Sequence, residues 1–131
     1  MVGGAGSCTA VVCEDDQVLA AALAAVLLAE GVRVVAWVQR GSDLPAAVRR
    51  HDPAVMVVDA ALLGVAGAGL LVELRAVSRA KLVALCPPGL DLRGLTGDAD
   101  VLVPGDDLGP LRQMLAALVA AACAGDIAVP G

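Results

Sequence analysis

Two short apolar runs in this chain end in carboxylates. The run TAVVC, residues 9–13, is followed at once by Glu14, Asp15 and Asp16, and the run AVMVV, residues 54–58, is followed by Asp59. If both runs are neighbouring parallel strands, Glu14, Asp15 and Asp59 converge at the carboxyl edge of the sheet, where open α/β sheets bind their ligands. Crowded carboxylates repel one another unless a cation or a shared proton relieves them. An all-oxygen set suits a hard ion such as Mg2+ better than zinc. Helix capping is the competing explanation for Asp15 and Asp16, and it accounts for one of them at most. Asp59 has no such ready alternative at a strand tip.

The elements around these residues follow from apolar patterning and turn residues. Thr9–Cys13 reads as a first strand and is followed by a helix that Asp16 caps and Gly31 stops. Within that helix Leu19, Leu23, Val26 and Leu27 share one side. Val32–Val38 reads as a second strand, and Ser42 as the cap of a helix through Arg50, with Pro45 tolerated in its first turn. Ala54–Val58 is a third strand. After Asp59 comes a loop and then a helix with Leu70, Leu71, Leu74 and Val77 at helical spacing. Lys81–Leu85 is a fourth strand, closed by Cys86-Pro87-Pro88, and the stretch from Gly89 to Asp100 has room only for a short helix. Asp100–Val103 is a fifth strand stopped by Pro104-Gly105. Asp107 then caps a last helix with Leu111, Met114, Leu115 and Leu118 inward, ending near Gly125. The alternation predicts an α/β fold: a doubly wound five-stranded parallel sheet of flavodoxin-like type with helices on both faces.

Composition narrows the class of function. The length of 131 residues suits a single domain. Residues 1–8 read as a glycine-rich disordered tail, 9–123 as the domain, and 124–131 as a tail or a truncated linker. A net charge of −5, with Arg49-Arg50 as the one adjacent basic pair, argues against direct contact with nucleic acid. The longest apolar stretch, Val18–Ala29, is shorter than the roughly 20 residues of a membrane span. With no signal-peptide pattern at the start, the expectation is a cytoplasmic protein. The four cysteines lack metal-site spacing, and Cys13 and Cys123 read as small core residues. Phe and Tyr are absent and Trp37 is the one aromatic residue, so the core must be aliphatic. His51, alone at a helix end, fits interaction with the helix dipole or plain exposure better than catalysis.

In order and spacing these segments resemble the receiver domain of two-component response regulators, from Ala10 to about Val119. VVCEDDQVL resembles that family's first strand with its acidic pair, PAVMVVDAALLG its third strand with the phosphoacceptor, and GDADVLVPGDDLGPL its fifth strand and the start of its last helix. Gly67 falls where the family has a glycine after the acceptor loop. The resemblance implies that Asp59 is the phosphoacceptor, Asp15 a direct Mg2+ ligand, Glu14 a ligand through water, and the Ala61 carbonyl a further ligand. A histidine kinase or another signalling protein is then the expected partner, and the chain is a signalling module rather than an enzyme. Self-association through the fourth and fifth helices and the fifth strand is also implied. The tail AAACAGDIAVPG resembles the linker that joins the receiver to a helix-turn-helix domain in LuxR/NarL-type regulators, which implies either a fragment of a regulator that acts on transcription through that domain or a stand-alone receiver-like protein.

Four positions depart from the family pattern. Cys86 stands where a threonine or serine follows the fourth strand, and a thiol donates a weaker hydrogen bond than a hydroxyl. Pro104 stands where a lysine ends the fifth strand, and offers neither charge nor N–H. Val101 replaces the aromatic switch residue, and Leu63 the proline of the acceptor loop. The stretch between Cys86 and Pro104 is about one helical turn shorter than usual. The acids are kept and the phosphoryl relay is not, so the expected product is a pseudo-receiver that works by interaction or dimerisation. A phosphorylatable receiver at Asp59 is the alternative.

Three other sites fit less well. A flavin binder would want a hydroxyl-rich phosphate loop after the first strand and aromatic flanks. The glycines GVAGAG, residues 64–69, follow a strand as a phosphate cradle would, but Asp59 at their mouth repels phosphate unless a metal intervenes. A haloacid-dehalogenase-type phosphatase needs two aspartates flanking one residue and a downstream lysine. Here Glu14 and Asp16 hold that spacing, and Lys81 begins a strand instead of ending one.

Overall fold

The computed structural model describes residues 8–63, 67–86 and 101–104, together with helical positions 109, 111–113, 117 and 120. The expectations for residues 1–7, for the stretch 87–100, for the Asp107 cap and for the C-terminal tail lie outside the described residues. Strands β1 (Thr9–Cys13), β2 (Arg33–Val38), β3 (Val55–Asp59), β4 (Lys81–Cys86) and β5 (Val101–Pro104) alternate with helices α1 (Gln17–Ala29), α2 (Leu44–His51) and α3 (Gly67–Val77). The strands are parallel and lie in the order β2-β1-β3-β4-β5. The central strands are apolar on both faces because helices cover both. Ala10, Val12, Val55, Val57, Val83 and Leu85 pack with Leu23 and Leu27 of α1 and with Leu111. Val11, Cys13, Met56, Val58 and Leu82 pack on the other face with Leu44 and Val48 of α2 and Leu71 and Leu74 of α3.

Local chemistry sets where the helices begin and end. Asp16 caps α1, its Oδ1 accepting from the N–H groups of Val18 at 2.9 Å and Leu19 at 3.2 Å. At the other end Gly31 takes φ +82°, a left-handed conformation that glycine adopts at little cost. The Val32 N–H donates to the Leu27 carbonyl and the Gly31 N–H to the Leu28 carbonyl, each at 2.9 Å, a Schellman closure in which Val32 and Leu27 also share one apolar cluster. Leu23 and Leu27 are fully buried and Leu19 and Val26 partly so, as the spacing predicts. The outward side is apolar too, leaving Val18 and Leu28 exposed.

Most boundaries fall within a residue of the sequence reading, β5 running Val101–Pro104 so that Pro104 ends the strand from inside it, and two differences bear on the site. Ser42 does not cap α2: it sits inside a 3-10 turn, Gly41–Asp43, and the helix starts at Leu44 with no side-chain cap bond. Pro45 lies in the first turn, where it removes one of the donors a cap would satisfy. Asp59 belongs to β3 itself, pairing with Leu85 of β4, where the run of apolar residues alone had ended the strand at Val58. Backbone pairing continues past the last apolar side chain.

Gly41 is required sterically. A Cβ at this position would lie 2.7 Å from the Leu62 carbonyl oxygen and 3.2 Å from Leu70 Cδ2, so the turn before α2 presses on the segment that follows Asp59. Gly41→Ala is expected to cost about 1–3 kcal/mol, measured as a lower denaturation midpoint. An unchanged midpoint would show that the two turns are not in contact.

Candidate functional site

Strand register brings the acids together. Cys13 is level with Val58, so the next residues, Glu14 and Asp59, leave adjacent strands side by side. Glu14, Asp15 and Asp59 each offer a carboxylate oxygen, and these oxygens all lie within 4.8 Å of one another. Asp16 stands apart as the cap of α1, which leaves Glu14, Asp15 and Asp59 together, and Asp59, for which the sequence offered no capping role, also caps the 3-10 segment that follows it.

Glu14 is the buried member, 1% exposed. Its Oε2 accepts from the N–H groups of Asp15 at 3.0 Å and Asp16 at 3.1 Å. Its Oε1 is buried and has no hydrogen-bond partner among the described residues. Its main chain is held from the edge strand: the Glu14 N–H donates to the Val38 carbonyl at 3.0 Å, and the Trp37 indole N–H donates to the Glu14 carbonyl at 2.6 Å. Asp15 is exposed and Asp59 half-buried. Asp59 Oδ1 accepts from the Ala61 N–H at 3.0 Å, which turns the chain into the 3-10 segment Ala60–Leu62. Ala61 thus lies directly beside the acids, with its N–H committed to one of them.

Burial pushes the Glu14 carboxyl up to about 7; hydrogen bonding from the Asp16 backbone opposes this, and the negative Asp59 beside it adds to the rise. The same field acts on the cysteines. Burial first, then Asp59 and Glu14, push the Cys13 thiol up to about 12, which leaves it an inert core residue. Burial and then Asp59 also raise the Cys86 thiol. Cys86 is half-buried and its Sγ lies 3.7 Å from its own strand's Ala84 carbonyl, so the weak donor points back at the sheet. Cys86 pairs in register with Pro104 at the carboxyl ends of β4 and β5, one step beyond the Asp59–Leu85 pair.

The donor set fits a hard divalent cation. All three groups are carboxylates, one oxygen is buried without a partner, and their mutual repulsion is relieved by positive charge. The competing sites gain no support. Residues 64–66 of the glycine stretch lie outside the described residues, and a Cβ on Gly69 would meet nothing within 4 Å, so no close backbone approach requires glycine at that position. Lys81 begins β4 and so lies at the opposite edge of the sheet from Asp59. Trp37 was missed by the sequence reading. Its one available signal was its position at the end of β2, one residue before the strand stops.

The pH dependence follows from Glu14. In the unfolded chain its carboxyl ionises near its ordinary 4.5, whereas in the metal-free fold it holds its proton to about 7. The folded state therefore binds more protons between these values, and stability falls as pH rises through that window, then levels off. Urea denaturation of the metal-free protein across this range should show the fall, and Glu14→Gln should flatten it. A wild-type profile that rises instead would contradict this assignment.

No protein-family model matches the sequence, and no curated protein matches it. Solved structures do. A CheY-like response regulator receiver domain from Methylobacillus flagellatus superposes with a TM-score of 0.65 at 22% identity, covering 82% of this chain and 98% of that one. The signal receiver domain of the putative response regulator NarL from Mycobacterium tuberculosis gives 0.70 at 20% identity, covering 90% and 97%. The signal receiver domain of a putative Luxo repressor protein from Vibrio parahaemolyticus gives 0.73 at 17% identity, covering 94% and 97%. The parallel sheet, its strand order and the three acids at its carboxyl edge give this chain the fold of the response regulator receiver domains.

Proposed function

We propose that this chain is an atypical receiver in two-component signalling, a pseudo-receiver that keeps a cation-binding acid pocket and is impaired in phosphoryl-dependent switching. It acts in the cytoplasm through protein interaction or dimerisation. Joined to a helix-turn-helix domain of LuxR/NarL type, it would regulate transcription through that domain. The observation that carries this reading is the Cys86–Pro104 register pair at the edge of the sheet beside Asp59. At these two positions the receivers it resembles use a hydroxyl and a lysine to hold a phosphoryl group. A raised, back-turned thiol and a proline supply neither hydrogen-bonding strength nor charge.

Glu14, Asp15, Asp59 and the Ala61 carbonyl are the groups that would hold Mg2+. The ion would neutralise the carboxylates and draw an incoming anionic group toward them. Within the chain, Glu14 is fixed by its own loop, Asp15 stays open to solvent, and Asp59 is oriented by the Ala61 N–H. The second reading, a phosphorylatable receiver that takes a phosphoryl group at Asp59 from a histidine kinase, is favoured by that same orientation and by the partial exposure of Asp59.

The test is incubation with Mg2+ and a small-molecule phosphoryl donor, followed by intact mass beside Asp59→Asn. The pseudo-receiver reading expects no lasting gain of mass in either protein. One phosphoryl group on the wild type and none on Asp59→Asn would establish the second reading instead. The double variant Cys86→Thr/Pro104→Lys should raise the phosphorylated fraction, and its failure to do so would mean that these two positions are not what limits the chemistry.

A further inference from the structure

The β1–β2 pairing contains an irregularity between Ala10 and Val11, in the strand that leads to the acid site. Thr9 and Ala10 pair with Arg33 and Val34, but Val11 pairs with Ala36, so Val35 is an extra residue on the edge strand. An inserted residue reverses which face each later side chain takes. The packing shows this: Val34 joins the cluster under α1, whereas Val35 and Ala36, although consecutive, both join the cluster under α2 and α3. Beyond the bulge Trp37 pairs with Val12, a residue of the α1-side cluster, and Val38 pairs with Cys13 of the other. Without the extra residue Trp37 would fall on the α2/α3 face. With it, the indole lies on the α1 side at the strand end and its N–H reaches the Glu14 carbonyl at 2.6 Å.

This contact completes a clamp on one residue. The N–H of Glu14 is taken by Val38, its carbonyl by Trp37, and its Oε2 by the two following amides, so Oε1 is the one oxygen of its carboxylate without a partner among the described residues. Trp37 is 41% exposed, so its place in the structure owes less to burial than that of a core aromatic. We propose that Trp37 is a positioning residue for the cation site: turned onto the α1 face by the β2 bulge, it fixes the Glu14 main chain and thereby sets the affinity of the acid cluster for a divalent cation. The proposal rests on the reading of Glu14, Asp15 and Asp59 as a cation site. The residue contacts no ion itself and acts through Glu14.

The test uses Mg2+ alone as the probe, with calorimetric titration of the full chain. Trp37 is replaced by β-(3-benzothienyl)alanine, which keeps the shape of indole and substitutes sulfur for the N–H. A parallel protein carries 4-fluorotryptophan, which keeps the donor. The dissociation constant for Mg2+ should weaken about tenfold in the first and stay near wild type in the second, with the metal-free melting midpoints of the two alike. Equal Mg2+ affinity in all three proteins would overturn the positioning role and leave the cation site standing. No binding by the wild type would instead overturn the cation site, and the proposal with it. Trp37→Phe, made by ordinary mutagenesis, should follow the benzothienyl protein, and wild-type affinity in it would also count against the role.

Discussion

The structure depends on a repulsion. Three carboxylates meet within 4.8 Å at the end of an aliphatic sheet, one of them fully buried. A buried charge beside two others is a costly arrangement, and isolated carboxylates in such surroundings ordinarily take up protons. The chain eases the strain only in part. Two loop amides satisfy one oxygen of Glu14, and burial together with Asp59 keeps its proton on to about neutral pH. The other oxygen has no partner among the described residues, and a cation bound there would relieve the repulsion that remains.

Everything near the site serves to hold those acids in place. Parallel register sets Glu14 beside Asp59. The Asp16 cap starts α1 immediately after the acidic loop, which fixes that loop between a strand end and a helix start. Gly41 lets the turn before α2 close onto Leu62, bracing the segment after Asp59 from the other side. What the site lacks is equally local. On the proposed reading, the hydroxyl and the lysine of the receivers this chain resembles are replaced by Cys86 and Pro104, which pair in register at the ends of β4 and β5.

Much of this was legible in the sequence because burial on two faces writes itself as unbroken apolar runs. VVC and VMVV located β1 and β3, and the carboxylates at their ends needed only the assumption of parallel neighbours to converge. Gly31 announced its turn through the conformational demand it meets. The start of α2 was not legible, since Ser42 carries the chemistry of a cap whether or not the backbone uses it, and the 3-10 turn at Gly41 lies close against Leu62, a neighbour distant in sequence. The bulge at Val35 was hidden for a similar reason. A valine-rich edge strand has no alternation to violate, so an extra residue leaves no mark until its neighbours are seen. Trp37 owes its role to that bulge, and single-strand patterning could not reveal it.

The most direct measurement is the melting midpoint of the wild-type protein above about pH 8, where Glu14 has lost its proton, as Mg2+ is added. A ligand that binds only the folded state stabilises it by about 2.7 kcal/mol at a hundredfold excess over its dissociation constant. A cation site at Glu14, Asp15 and Asp59 requires a midpoint that climbs with Mg2+ and an Asp15→Asn variant that climbs less. A midpoint that Mg2+ leaves unmoved, in a protein otherwise folded, would contradict it.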